Sequence, residues 1–406
     1  MLEPTELRRD LVLVGGGHSH ALVLRMLAMK PLAGLRITLV SPASHTPYSG
    51  MLPGLVAGHY SFEETHIDLA RLCQWAQVRF IAAEVTALDP SRRSLSLAGR
   101  PPLDYDLLSL DIGSQPELDP VPGARANAVP VKPVAGLWQR WLGLRDRVQA
   151  TELGHDHRIA VVGGGAGSVE LVMAMANSLG NRAKGIDLWC GAPEILQAYN
   201  RRARDRVMKA LQRQGIEVHL DARVERVEAG VLVLAGGRRA EYDELFWCTG
   251  AAAASWVAAS GLATDERGFL AVRDTLQSLE DDRVFAAGDI ATQVNHPRPK
   301  AGVYAVRQGP VLARNLRAYL LDQSLREYRP QRRFLSLVSL GQRRAVADKG
   351  VLAAEGNWVW RWKDRIDRKF MGRFEHLPRQ MTRKGNDRLP GLPSQEIVHC
   401  GGCGAK

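Results

Sequence analysis

The chain has 406 residues, of which 45% are apolar and 24% charged, with 39 Gly and 21 Pro; this is the make-up of a soluble globular protein of two to three domains, not of a disordered, collagenous or membrane-spanning chain. No uninterrupted apolar run approaches the roughly 18 residues of a spanning helix, the N-terminus does not read as a secretory leader, and Cys73, Cys190 and Cys248 stand too far apart for a disulfide framework, so a reducing cytoplasm is the expected compartment. The net charge of +11 is uneven: the chain from Arg326 onward carries a surplus of ten and the part before it a surplus of one, and with no basic nucleic-acid fold in that neutral body, nucleic acid is not an expected partner.

In chain order, Leu11-Val12-Leu13-Val14 reads as a buried parallel strand. The cluster Gly15-Gly16-Gly17-His18-Ser19-His20 follows, then a helix from Ala21 to Met29 and a strand from Arg36 to Val40. The same order returns in Ile159-Ala160-Val161-Val162, Gly163-Gly164-Gly165-Ala166-Gly167-Ser168, a helix from Val169 to Leu179 and a strand from Gly185 to Trp189. A strand ending in a glycine turn also occurs twice, from Tyr105 to Gly113 and from Glu244 to Gly250. Arg283 to Ala287 then runs into Gly288-Asp289, before a helix from about Gly302 to Leu320. The expected fold is α/β, with two Rossmann-like domains, the second inserted into the first: residues 1–125 with 255–330, and residues 126–254. Residues 331–378 are expected to form a small α+β region with an amphipathic basic helix, and 379–406 a polar linker.

A glycine cluster between strand and helix lets backbone approach a pyrophosphate, while the helix N-terminus attracts its charge. Gly15 and Gly17 hold the first two positions of G-x-G-x-x-G, with His20 third; Gly163 and Gly165 do the same, with Ser168 third. One such turn can exist for packing alone, but two in matched context point to dinucleotide binding. The acidic ribose partner expected at the end of the next strand is missing twice. Ser41 can still hydrogen-bond a ribose, whereas Cys190 reads as a small buried hydrophobe.

These motifs resemble the pyridine nucleotide–disulfide oxidoreductase superfamily, especially type II NADH dehydrogenases. The resemblance implies that the first cluster binds FAD and the second NAD(P)H, and that the turns at Gly113 and Gly250 are the family's strand-plus-ATG elements. It makes Phe285-Ala286-Ala287-Gly288-Asp289 the second FAD motif, with Asp289 on the ribityl chain; the alternative for Asp289 is a turn cap. Gln308 resembles a glutamine near flavin and quinone, and Glu170 a glutamate of the nicotinamide helix, although a first-turn glutamate also suits the helix dipole. His45-Thr46-Pro47-Tyr48-Ser49-Gly50-Met51-Leu52-Pro53 stands where relatives line the isoalloxazine, with Gly50 to Pro53 favoured for the flavin side. Lys132 and Lys300 can stabilise reduced-flavin charge, or simply be exposed. No C-x-x-C lies near the flavin motifs, so a thiol-reductase cycle is not expected. Hydride transfer needs no general acid or base, and no residue is assigned as catalytic.

Trp358, Trp362, Ile366, Phe370 and Phe374 recur every four residues among Arg and Lys, as a stripe either lying on an anionic membrane face or packed on the flavin domain. The terminal Cys400-Gly401-Gly402-Cys403-Gly404-Ala405-Lys406 resembles the start of selenide, water dikinase; zinc is not expected, since no second pair completes a site, and no other metal is expected. The leading expectation is an FAD-dependent oxidoreductase passing hydride from NAD(P)H to flavin and then to a quinone or other acceptor. The alternative is a selenium-linked flavoprotein serving a fused or partner selenophosphate synthetase.

Overall fold

The computed structural model describes residues 9–150, 157–180, 185–378 and 387–390. The terminal C-x-x-C falls outside them. Two five-stranded parallel sheets organise the chain. In the first the order is Val284–Ala286, Leu107–Leu110, Arg9–Val14, Leu35–Ser41 and Arg79–Ala82; in the second it is Val129–Pro130, Glu244–Trp247, Ile159–Val162, Ile186–Trp189 and Glu217–His219. The strand that precedes each glycine cluster is central. Leu11 to Val14 and Ile159 to Val162 are all buried, because a parallel strand covered on both faces needs a continuous apolar run rather than an alternating one.

The duplication extends further than the glycine clusters. In each half a three-stranded antiparallel meander comes just before the strand that returns to pair with the central one: Val85–Asp89, Ser94–Leu97 and Arg100–Asp104 in one half, Val224–Glu228, Val231–Leu234 and Arg239–Glu241 in the other. Sequence reading misses these strands because they are short and half exposed, and all but Val231–Leu234 lack the apolar run that marks a buried strand.

Both nucleotide helices begin three residues before the expected positions, as His18–Met29 and Ala166–Leu179. Residues 18–20 and 166–168 belong to the first helical turn instead of the loop, and Gly17 and Gly165 are the extended N-cap residues. Gly15 requires its residue type: its φ is +91°, and a Cβ there would overlap the Asp111 backbone. Helix His18–Met29 packs on Gly302–Leu320; at Gly309 a side chain would press on Leu22 and the Ser19 carbonyl.

The C-terminal region joins the halves. Strands Ser336–Leu340, Gln342–Lys349 and Leu352–Gly356 form an antiparallel sheet against helix Ala166–Leu179. Helix Asn357–Glu375 then crosses to the first half, where Phe370 stacks on Tyr48 at 4.6 Å. The expected single stripe on this helix does not hold. Phe370 and Phe374 are buried, whereas Trp358, Trp362 and Ile366 are 59%, 42% and 42% exposed. A spacing of four advances about 40° around the helix at each step, so the row winds from the solvent side to the packed side. Val359, Lys363, Asp367 and Met371 complete the buried face.

Candidate active site

The first glycine turn is closed by long-range ties. The His20 ring fills the third glycine position: Nδ1 lies 2.7 Å from the Gly15 carbonyl and Nε2 2.8 Å from Ser109 Oγ. A carbonyl only accepts, so Nδ1 carries the proton and Nε2 accepts from the serine hydroxyl. Burial pushes this imidazole down to about 4, which keeps it neutral. Both ring nitrogens of His20, a residue expected beside the cofactor, are committed to holding strand, turn and helix together. Ser19 is similarly occupied, donating to the Ala305 carbonyl at 2.9 Å. His18 donates from Nε2 to the Pro47 carbonyl at 3.2 Å, with its ring edge-on to Tyr48 and Phe370. Desolvation holds its titration below the ordinary value.

Asp111 is the main site residue that sequence reading passes over. It follows strand Leu107–Leu110 and is 3% exposed. Its carboxylate accepts from the His20 amide at 2.9 Å, and its carbonyl accepts from the Gly17 amide at 3.1 Å. A Cβ at Gly17 or at Gly288 would overlap that carboxylate, so the group lies between the bare backbones of the two expected FAD motifs. The second of these motifs is fixed from below, since Gln308 Oε1 accepts from the Gly288 amide at 2.7 Å. Asp289 accepts from Lys132 Nζ and from Ser114 Oγ, both at 3.1 Å. Lys132 thus meets the Asp289 carboxylate. Lys300 instead donates to the Ala291 carbonyl and Thr292 Oγ1 and lies over the Phe269 ring; burial lowers it to about 8.

Ser41, at the end of the second strand, donates to the Ala43 carbonyl at 3.0 Å, which leaves its oxygen to act as an acceptor. Gly113 and Gly250 lie where the two halves of the chain cross, and Gln115 pairs antiparallel with Ala252 between them. A side chain at Gly250 would press on Glu117. Pro53 is buried in the short helix Leu52–Val56, and Gly50 offers its carbonyl to Lys363.

The second turn is locally tied and open. Gly163 donates to the Trp189 carbonyl at 2.8 Å, as Gly15 does to Val40, and Ser168 Oγ donates to the Gly165 carbonyl at 2.8 Å. A Cβ at Gly165 or Gly167 meets nothing within 4 Å, so a phosphate can approach the helix N-terminus there without displacing protein. Cys190 is buried beneath Gly164, as a small hydrophobe.

Glu170 accepts from the Ser339 amide at 2.7 Å. Burial pushes its carboxyl up to about 7, with the Lys363 charge opposing and Asp367 adding to the rise. Lys363 and Asp367, both buried, form an ion pair at 2.7 Å. The Asp367 carboxylate also meets the Tyr48 hydroxyl, which burial and that carboxylate together hold protonated. Lys363 is one of the Lys and Arg residues interleaved with the row from Trp358 to Phe374; only its packing reveals a buried charge. Elsewhere, Asp187, Glu217 and His219 bring ligand atoms within 4.8 Å of one another at the edge of the second sheet.

The residues fit a flavin at the first turn, where the Gly17 N-cap opens helix His18–Met29 with its backbone amides and the second motif carries the Asp289 carboxylate. Comparison with known proteins identifies the family. A family model described as pyridine nucleotide-disulphide oxidoreductase matches residues 9–309. The demethylphylloquinone reductase NdbB of Synechocystis is 25% identical over 70% of this chain and 72% of its own. The NADH dehydrogenase-like protein YutJ of Bacillus subtilis is 23% identical over 85% of this chain and 94% of its own. The structure of NDH2 from Plasmodium falciparum in complex with NADH has a TM-score of 0.76 at 13% identity, covering 92% of this chain and all of that one. With two Rossmann-like sheets, two glycine turns and a family match over most of its length, the chain belongs to the pyridine nucleotide-disulphide oxidoreductase family and is an FAD-dependent enzyme that uses a nicotinamide nucleotide.

Proposed function

We propose that the enzyme passes electrons from NAD(P)H to a quinone, with FAD held at the first turn and the nicotinamide nucleotide at the second. The observation that carries this reading is the acid–base group of Glu170, Tyr48 and the buried pair Lys363 and Asp367, where the second nucleotide helix, the loop at Tyr48 to Pro53 and the C-terminal helix meet. Bound FAD supplies acceptance of hydride and onward release of electrons. Reducing a quinone to hydroquinone consumes two electrons and two protons; NAD(P)H brings two electrons and one proton, so one further proton comes from the medium. Glu170, titrating at about 7, can take and give a proton near neutral pH. Lys363, anchored to the Gly50 carbonyl and Asp367, places a fixed positive charge beside the loop expected to line the flavin, where anionic charge is stabilised.

The names of the Synechocystis and Bacillus relatives support the two ends of this reaction, a quinone reductase and an NADH dehydrogenase-like protein. Burial raises the Cys73 thiol to about 12 and moves Cys248 upward, which suits an enzyme that works without thiolate chemistry. Among the described residues no helix is long and apolar enough to cross a membrane. The exposed Trp358, Trp362 and Ile366, flanked by exposed Arg361, Arg365 and Lys369, support a second element of the proposal: this end of the helix rests on an anionic lipid surface, where a lipid-soluble quinone resides. The selenium-linked alternative draws on residues 400–406, outside the described residues, and on a resemblance of residues 15–20 and 46–54 to the flavoprotein domain fused ahead of selenide, water dikinase; the comparisons do not support it.

The test is spectroscopic. Under anaerobic conditions NADH or NADPH should bleach the visible flavin band of the purified protein, and a quinone should restore it with one hydroquinone formed per nucleotide oxidised. Turnover of a long-chain quinone should rise with anionic vesicles, and W358S/W362S should lose that rise. A band that nucleotide bleaches but no quinone restores defeats the acceptor assignment.

A further inference from the structure

The two halves place different groups at one equivalent position. Asp111 donates its amide to the Val14 carbonyl at 2.8 Å, and Cys248 donates its amide to the Val162 carbonyl at 2.9 Å, so each residue sits directly against its own glycine turn. In the second half the group is a thiol held neutral by burial. In the first it is a carboxyl, accepting from the His20 amide and clamped between Gly17 and Gly288. The N-terminal amides of helix His18–Met29, the natural anchor for a pyrophosphate, are therefore already met by an acid of the protein itself.

Charges around Asp111 leave it without a balancing cation. From the helix it faces His20, kept neutral by burial, and the amide and hydroxyl of Ser19, which carry no charge. From the Gly288 turn it faces Asp289, whose negative charge opposes its ionisation, and the nearby Lys132 is engaged with Asp289. No lysine or arginine pairs with Asp111 among the described residues. Desolvation first, then the Asp289 charge against the helix amides, moves its titration up to about 7. Bringing a pyrophosphate, with two negative charges, to the same amides adds a like-charge penalty that an ionised carboxylate cannot escape in so buried a place.

We propose that Asp111 is a positioning residue for the flavin, holding FAD with its carboxyl protonated and donating a hydrogen bond toward the pyrophosphate, so that FAD uptake carries a proton into the protein. This rests on the assignment of FAD to the first turn. The sign follows from linkage: the bound state favours the acid form, so affinity is greatest below the titration of free Asp111 and declines as pH rises through it.

The experiment measures FAD release from the purified full-length protein by the recovery of free-flavin fluorescence on dilution, between about pH 6 and 9. The apparent Kd should be level at the acid end and then climb toward about tenfold per pH unit. D111N should flatten that climb and, at the alkaline end, hold FAD at least as tightly as the unaltered chain. A flat profile in the unaltered chain, an undiminished slope in D111N, or D111N weakening FAD equally at every pH would each overturn the proposal. Should D111N fail to fold, calorimetric titration of the flavin-depleted unaltered chain in two buffers of different ionisation enthalpy decides the matter: uptake approaching one proton per FAD at the alkaline end supports it and zero uptake overturns it. A chain that holds no flavin at any pH removes the FAD assignment itself.

Discussion

Strand, glycine cluster and helix coincide almost residue for residue in the two halves, but the side chains of the first turn reach distant parts of the molecule while the second turn is tied mainly through its backbone, to Trp189 and Leu196. His20 reaches Ser109, Ser19 reaches Ala305, and Gln308 holds Gly288, whereas Ser168 reaches only Gly165, three residues back. The space beside Gly17 is occupied by Asp111, while that beside Gly165 is open. Under the proposed assignment of FAD to the first turn and nicotinamide nucleotide to the second, the difference matches residence time. A cofactor that stays needs a cradle whose walls are fixed by distant parts of the chain, and a co-substrate that leaves needs an approach with nothing to displace.

The largest effect is expected where the two halves are joined. Lys363→Met removes the partner of a buried carboxylate and should cost about 3–5 kcal/mol in urea unfolding, while adding Asp367→Leu should recover most of that loss. If the double variant is no better than the single, the ion pair is not what couples the halves. Next comes a direct contrast of the third motif positions. His20→Gly restores the usual fingerprint glycine yet leaves Ser109 and the Gly15 carbonyl without the ring, so it should destabilise by about 2–3 kcal/mol and lower the retained FAD. Ser168→Gly should cost about 1 kcal/mol or less and leave FAD content unchanged. Equal losses from the two substitutions would erase the distinction drawn between the turns. The smallest stability effect belongs to Gly165→Ala, whose methyl meets no protein atom and whose backbone is extended. Its unfolding should match the parent, while the KM for NAD(P)H rises several-fold; an unchanged KM would mean that the nucleotide does not approach this backbone.

Much of the architecture is legible in local pattern. Leu11 to Val14 and Ile159 to Val162 announce buried strands because apolarity on both faces leaves no other environment for them, and the glycines that follow mark where backbone must turn tightly. Helix Gly302–Leu320 has the bounds that its sequence implies. The meanders were hidden because a half-exposed strand of three to five residues carries little periodic signal. The row from Trp358 to Phe374 shows the opposite hazard, a regular spacing whose two ends face different surroundings.

What the amino-acid order settled by itself is the duplicated strand-turn-helix plan, since hydrophobic runs and glycine preferences act over neighbouring residues. Tertiary structure alone decided which charges are buried and what they meet. Asp111 finds the His20 amide from 91 positions away, and Lys363 finds the Gly50 carbonyl from 313. The state of an ionisable group depends on the dielectric and the partners that packing brings to it, and no window of sequence contains either.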